Sequence, residues 1–355
     1  MTLVLSNAEI AELVTMQDCI ATLEDAYIEL GEGRGAFRGR SDICTPSDHA
    51  SGGMYALKSM DGVIPKLGVG AIRINSDIIT YPEIDGVRRR KKVPAAPGER
   101  YTGLVLLFST KTGEPLAILP DGMMQPMRVA ATTALGAKCL AREDAEVVAL
   151  LGSGVQARGQ VRAIVQVRKV KEIRVYSTRK DKREAFAAEM SPLVGLEIEP
   201  VDAPERAVRG ADIVLTATNA LVPVLAPEWI ENGMHLSTIK AGEVGPDVIR
   251  RVDVKATLVR DLEPVFISTH GLRVPEEASG GMASRDAVTL PELLIARRDG
   301  QSRGRTANDQ VTCFLNPQGL GFQFAAVGAA IYRKAKELGR GRELPTDWFT
   351  ETEVP

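Results

Sequence analysis

The sequence predicts an α/β protein in which a doubly wound parallel-sheet domain is joined to a mixed α+β domain. Three observations predict it. Five apolar residues, Val147–Leu151, stop at Gly152-Ser-Gly154, and a helical pattern runs on from Val155 to Val165. Further short apolar runs follow at Glu172–Tyr176 and at residues 211–218 and 234–239, as expected of parallel strands separated by crossovers. The first 122 residues carry a different pattern, with two capped helices, separate strands and a hairpin.

Taken in order, residues 6–30 read as two helices. Ser6 with Glu9 and Thr15 with Asp18 form capping-box patterns, and Ile10, Leu13, Val14, Ile20, Leu23 and Ala26 supply an apolar face. The glycines at 31, 33 and 35 end the second helix. Residues 54–58 and 69–74 read as strands. A polar loop from Ser76 to Glu99 follows, containing the basic run Arg88-Arg-Arg-Lys-Lys92. Such a run reads first as a solvated loop, with an anionic-ligand or partner site as the alternative. Residues 101–109 and 115–119 flank a glycine turn and form a hairpin. An alanine- and threonine-rich helix over 125–140 leads into the Val147 strand, so the first domain ends near residue 122 and the doubly wound one begins near 123. A last, small-residue-rich helix spans 321–338; its periodicity does not say which domain it joins.

The chain has 355 residues and a net charge of −2, which points to neither nucleic acid nor anionic membrane. No apolar run is long enough for a transmembrane helix, and the N-terminus lacks the pattern of a signal peptide. The four cysteines have no C-x-x-C spacing and read as reduced thiols of a cytoplasmic protein. His49, His235 and His270 are scattered, so no metal site is expected.

A buried strand, a glycine bend and a helix start place backbone N–H groups and a positive helix end where a pyrophosphate can sit. A Rossmann-type dinucleotide site is therefore expected at Gly152, Ser153, Gly154, Val155 and Gln156, with Ala157 in place of the usual third glycine. The second strand ends in Ser177-Thr-Arg-Lys180, with no acid for a ribose 2′-hydroxyl. Ser177, Thr178, Arg179 and Lys180 favour NADP(H) over NAD(H), unless Arg179 packs on the adenine or faces solvent. Thr218 and Asn219, at another strand end, are expected near the cofactor.

Several stretches together resemble one family. Gly113-Glu-Pro-Leu-Ala117, Met127-Arg-Val-Ala-Ala131, Lys138-Cys-Leu-Ala-Arg142 and Leu151-Gly-Ser-Gly-Val-Gln-Ala157 are similar to motifs of the ornithine cyclodeaminase/μ-crystallin family. So are Asp309-Gln-Val-Thr-Cys-Phe314 and Gly319-Leu-Gly-Phe-Gln323. The resemblance implies a homodimer that binds NAD(H) or NADP(H) and acts at the Cα–N bond of small amino or imino acids. It also implies that residues 1–122 and 320–355 form the substrate-binding and dimerisation domain, with 123–319 as the NAD(P)-binding domain.

Such chemistry needs a grip on a carboxylate, and arginine forks grip best. Arg128 matches a family arginine and sits among apolar and small residues, a setting that asks for an anion or an internal salt bridge. Arg40 matches another, with Arg38 as a rival. Where the family has a substrate-contacting lysine, ungapped alignment places Gly70. Lys58 is the preferred replacement. Arg73 would point away from the Gly70 side by strand alternation. Cyclodeaminases carry an aspartate where this chain has Gly242, with Glu243 beside it. Glu243 is a candidate proton-transfer group, or else a cap. Three activities stay open: an imino-acid reductase or amino-acid dehydrogenase, favoured by the missing aspartate; a redox-neutral cyclodeaminase; and a nucleotide or small-ligand binder without turnover.

Overall fold

The computed structural model of the chain describes residues 1–84, 86–260, 265–269 and 286–353; His270 lies outside them. Two sheets organise it. The first eight strands counted along the larger one run Val265–Ser268, Ser41–Ser47, Gly53–Ile64, Val69–Thr80, Thr102–Ser109, Pro115–Pro120, Thr2–Val4 and Arg342–Leu344, with Ala36–Phe37 and Lys91–Val93 paired at its sides. The helix Gly321–Glu337 lies on this sheet against Gly53–Ile64 and Val69–Thr80, with the helix Met16–Gly31 behind it. Its first turn touches the sheet backbone: a Cβ on Gly62 would stand 2.3 Å from the Phe322 nitrogen, and one on Gly321 would stand 2.0 Å from the Asp61 carbonyl carbon. Only glycines allow that approach.

The second sheet is parallel throughout. Its order is Ile198–Pro200, Glu172–Tyr176, Val147–Leu151, Ile213–Thr216, His235–Thr238, Thr312–Leu315, Val254–Thr257 and Val288–Thr289. Both faces are covered by buried apolar clusters, which is why its strands are continuous apolar runs. Strand order reverses between Val147–Leu151 and Ile213–Thr216, the point at which such sheets form a crevice at the carboxyl ends of their strands. The helix Met124–Leu140 links the two sheets and is buried along most of its length.

Both N-terminal capping boxes form, with Glu9 and Asp18 each bonding back to the Ser6 and Thr15 backbone N–H groups. One expectation needs correcting. The segment read as a polar loop from Ser76 starts as strand, because Val69–Thr80 and Gly53–Ile64 pair along eleven residues each. Asn75 and Asp77 point to the buried side there, so the sheet's inner face is polar and an apolar alternation cannot mark it.

Candidate functional site

The nucleotide side of the crevice is built by glycine. Gly152 has φ +119°, and a Cβ on it would meet the Ala217 oxygen at 2.3 Å. Its N–H donates to the Tyr176 carbonyl at 2.8 Å, locking the bend to the neighbouring strand. Gly154 then opens the helix Val155–Ile164 with no side chain to bond its first N–H groups, and a Cβ there would face open space. That is a cradle which a nucleotide pyrophosphate fits. Ala157 is fully buried as the third-glycine substitute, but the tighter approach falls two residues on. A Cβ on Gly159 would come within 3.1 Å of Ala130 and of the Pro126 oxygen. Gln156 donates to Gln125 at 2.8 Å, tying this helix to Met124–Leu140.

Around the cradle, Ser153 donates to Ser177 at 3.1 Å. Thr178, Arg179 and Lys180 are exposed at the start of the helix Lys180–Val194. Arg179 bonds Asp181 at 3.0 Å, an acid missed in the sequence because it lies past the strand end. On the other side, Glu243 is fully buried. It accepts from the Thr216 hydroxyl at 2.8 Å, the Thr218 N–H at 2.6 Å and the Thr238 hydroxyl at 3.1 Å. Burial pushes its pKa up against those bonds. Its oxygens are engaged in holding two strand ends together. Asn219, one residue beyond Thr218, accepts from Arg89 at 2.9 Å.

The other wall is the inner face of the larger sheet. Lys58, opposite Asn75 in register, and Arg73, opposite Met60, both point to it, while Gly70 pairs with Val63 on the outer side. Strand alternation thus separates Arg73 from Gly70 as expected, and it puts Arg73 and Lys58 on one face. Lys58 bonds Asp77 at 3.0 Å, and Lys92 bonds the same carboxylate at 2.9 Å. Arg73 bonds Asp121 at 2.6 Å. Arg40 lies 2.8 Å from Asp42 and is close enough to influence Arg128, whereas Arg38 is largely exposed and bonds Asp61.

Arg128, on the helix Met124–Leu140, meets the same wall by sharing the Phe324 ring with Arg73, and is 4 % exposed. It stacks on Phe324 and reaches only the Gln323 side-chain oxygen at 3.4 Å, and its Nε has no partner. Burial first, then the like charge of Arg73, pushes its pKa down. Among the described residues it pairs with no carboxylate. A buried, unpaired guanidinium is costly, and an anionic ligand relieves that cost. The arrangement can therefore hold a carboxylate beside a nucleotide crevice.

The structure brings Lys58, Arg73 and Arg128 onto one wall, with Arg40 at its edge. It keeps Glu243 with the strand ends of the parallel sheet. Sequence reasoning missed Asp77, Asp121, Gln323 and Phe324. The alternation Arg73, Asn75, Asp77 was the available signal for the first of these. Among the described residues no cluster of His, Cys, Asp and Glu could hold a metal ion, and no helix is long and apolar enough to cross a membrane.

Comparison with known proteins shows the family. A family model described as ornithine cyclodeaminase/mu-crystallin family matches residues 1–339. A protein of Sinorhizobium fredii named an uncharacterized cyclodeaminase is 32 % identical over 78 % of this chain and 80 % of its own. A Delta(1)-pyrroline-2-carboxylate reductase of Bacillus cereus is 27 % identical over 96 % and 99 %. Among solved structures, the Thermococcus litoralis Delta(1)-pyrroline-2-carboxylate reductase with NADH and L-proline is similar with a TM-score of 0.77. It is 25 % identical, over 97 % of this chain and 100 % of that one.

Proposed function

This chain belongs to the ornithine cyclodeaminase/mu-crystallin family, and from that premise we propose that it is an NAD(P)-dependent oxidoreductase acting at the Cα–N bond of a small imino or amino acid. The observation that carries the reading is the buried Arg128, without a carboxylate partner among the described residues, on the helix Met124–Leu140 that packs against the helix opened by the Gly152–Gly154 cradle. A bound nicotinamide supplies or accepts the hydride. The chain's part is to orient and hold charge. Arg128 grips the substrate carboxylate, Arg73 shapes the wall through Asp121 and Phe324, and Glu243 fixes the strand ends that flank the nucleotide. Incubation with reduced nicotinamide and cyclic or open imino acids tests this. Loss of reduced-nicotinamide absorbance is expected, and no oxidation across the panel overturns it.

Ser177, Thr178, Arg179 and Lys180, with no carboxylate at the strand end, support NADP(H) over NAD(H). A 2′-phosphate would have to draw Arg179 from Asp181. Fluorescence titration with NADPH and NADH decides it, and Arg179→Ala should narrow the difference. A redox-neutral cyclodeaminase is the second reading, favoured by the cyclodeaminase among the relatives. The three bonds already made by Glu243 leave it poorly placed as that reaction's base. Tight nucleotide binding without turnover would instead support a binding protein.

The outer face of the larger sheet supports a homodimer. Ile43, Leu57, Leu104 and Phe108 are 46 %, 37 %, 40 % and 37 % exposed, and Ile43 pairs with Leu57 and Ile74 with Leu104 across it. Leu104→Lys should give a monomer by light scattering. The reading assigns residues 1–122 and 320–355 to substrate binding and dimerisation, and residues 123–319 to the nucleotide. Four unpaired cysteines support a cytoplasmic location.

A further inference from the structure

The basic run 88–92 is not uniformly solvated. Arg88 and Lys91 are exposed, while Arg89, Arg90 and Lys92 are partly buried. The run is tied at both ends. Arg89 bonds Asn219 at 2.9 Å and forms a backbone bridge to Ala220, beside the nucleotide crevice. Lys92 sits opposite the buried Ile79 in the larger sheet and bonds Asp77 at 2.9 Å. Arg90 lies between those anchors and is partly buried. Its positive charge acts on Lys58 and lowers the Lys58 pKa.

Among the described residues, six cations thus lie around Arg128 and Asp77: Arg40, Lys58, Arg73, Arg90, Lys92 and Arg128. Three carboxylates, Asp42, Asp77 and Asp121, answer them. Among the described residues neither Arg90 nor Arg128 bonds an acid. The substrate's α-carboxylate leaves much of this surplus uncompensated.

Resting on the reading of the site as an imino- or amino-acid oxidoreductase, we infer that the substrate is dicarboxylic, its α-carboxylate held by Arg128 and its second carboxylate by Arg90 with Lys58. In the reductive direction the imine carbon gains a hydride from the reduced nicotinamide. The C=N double bond becomes a single bond, the nitrogen takes a proton from water, and the nicotinamide leaves oxidised. The second carboxylate takes no part in the electron count; it sets which acid is accepted. A dinucleotide's 2′-phosphate is expected at Ser177, past the end of Glu172–Tyr176, which is two strands along the sheet from Ile213–Thr216, beyond whose end Arg89 meets Asn219.

The test compares kcat/KM for α-ketoglutarate against α-ketovalerate, and oxaloacetate against α-ketobutyrate, each with ammonium and reduced nicotinamide. A cyclic monocarboxylic imine runs alongside. The dicarboxylic member of each pair should be preferred by about tenfold or more, the scale of a charge-assisted contact. Arg90→Ala should cut that preference mainly through KM, and Arg90→Lys should restore part of it, with melting curves checking that both variants fold. Turnover of the monocarboxylic acids or the cyclic imine with no gain from a second carboxylate overturns this inference and leaves the oxidoreductase reading intact. No nicotinamide oxidation with any probe overturns both. Loss of nucleotide affinity in Arg90→Ala with the preference unchanged would assign Arg90 to the cofactor and overturn the inference.

Discussion

Arg73 and Arg128 lie against the same aromatic ring, their guanidinium carbons 5.4 and 5.3 Å from the centre of Phe324. They differ in what answers their charge. Arg73 is held by Asp121, which Asn75 also bonds at 3.0 Å. Among the described residues Arg128 has only the neutral Gln323. One arginine is a fixed part of the wall, and the other is left for a ligand.

Replacing Arg128 therefore separates function from stability. Arg128→Met should lower kcat/KM by about a hundredfold or more, because a charge-assisted fork is lost. The same change removes a buried charge with no counter-ion and should raise Tm, since Gln323 keeps its bond from the Leu320 N–H. Steady-state kinetics and thermal melting measure both. A clear fall in Tm would make Arg128 a structural residue.

The two glycines of the cradle should behave differently. Gly152→Ala forces a Cβ to 2.3 Å from the Ala217 oxygen at positive φ, and should cost about 2 kcal/mol or more of stability along with nucleotide binding. Gly154 has an ordinary φ of −85° and open space at its Cβ. Gly154→Ala should fold as well as the parent and weaken only nucleotide binding. Denaturant unfolding and fluorescence titration distinguish the two.

Burial, followed by the charge of Arg90, brings the Lys58 pKa down to about 8, against the pull of Asp77. The ammonium is present below that pH and lost above it. For an anionic substrate held by Lys58, KM should therefore rise as pH passes 8, with kcat less affected. Lys58→Arg should move the bend to higher pH. The linked stability has the opposite trend. Between pH 8 and the unfolded value of 10.5 the unfolded chain binds the extra proton, so this group's contribution to stability improves as pH rises. A KM flat across this range would remove Lys58 from substrate binding.

His235 is fully buried and bonds Thr312 and Ser237, both at 2.9 Å. Burial, with Arg305 next, pulls its pKa down to about 3 from 6.5. The unfolded chain takes up a proton here below 6.5 and the folded one does not. Stability should fall with acid from that point, by up to about 1.4 kcal/mol per pH unit from this residue. His235→Gln should flatten that slope in urea titrations at several pH values.

What the sequence revealed was local. The Gly152–Gly154 bend, the two capping boxes and the lone arginine at 128 all announce themselves within a few residues. What it hid was non-local or inverted. Val69–Thr80 carries Arg73, Asn75 and Asp77 on its buried side, so its second half, from Ser76, looked like loop. Glu243 reaches Thr216 across 27 residues, and its bonds exist only once the strands lie side by side. Arg89 meets Asn219 across 130 residues, so the link between the basic run and the parallel sheet had no local signature.

The central claim is hydride transfer at a carboxylate-bearing carbon, and a single-turnover experiment tests it most directly. Protein, one equivalent of reduced nicotinamide and excess imino acid are mixed, and nicotinamide absorbance and amino acid are followed together. Oxidation of the nicotinamide matched mole for mole by amino acid formed is the predicted result. Ammonia released from ornithine or lysine with no net change in nicotinamide, and no reduction of any imino acid, would contradict it.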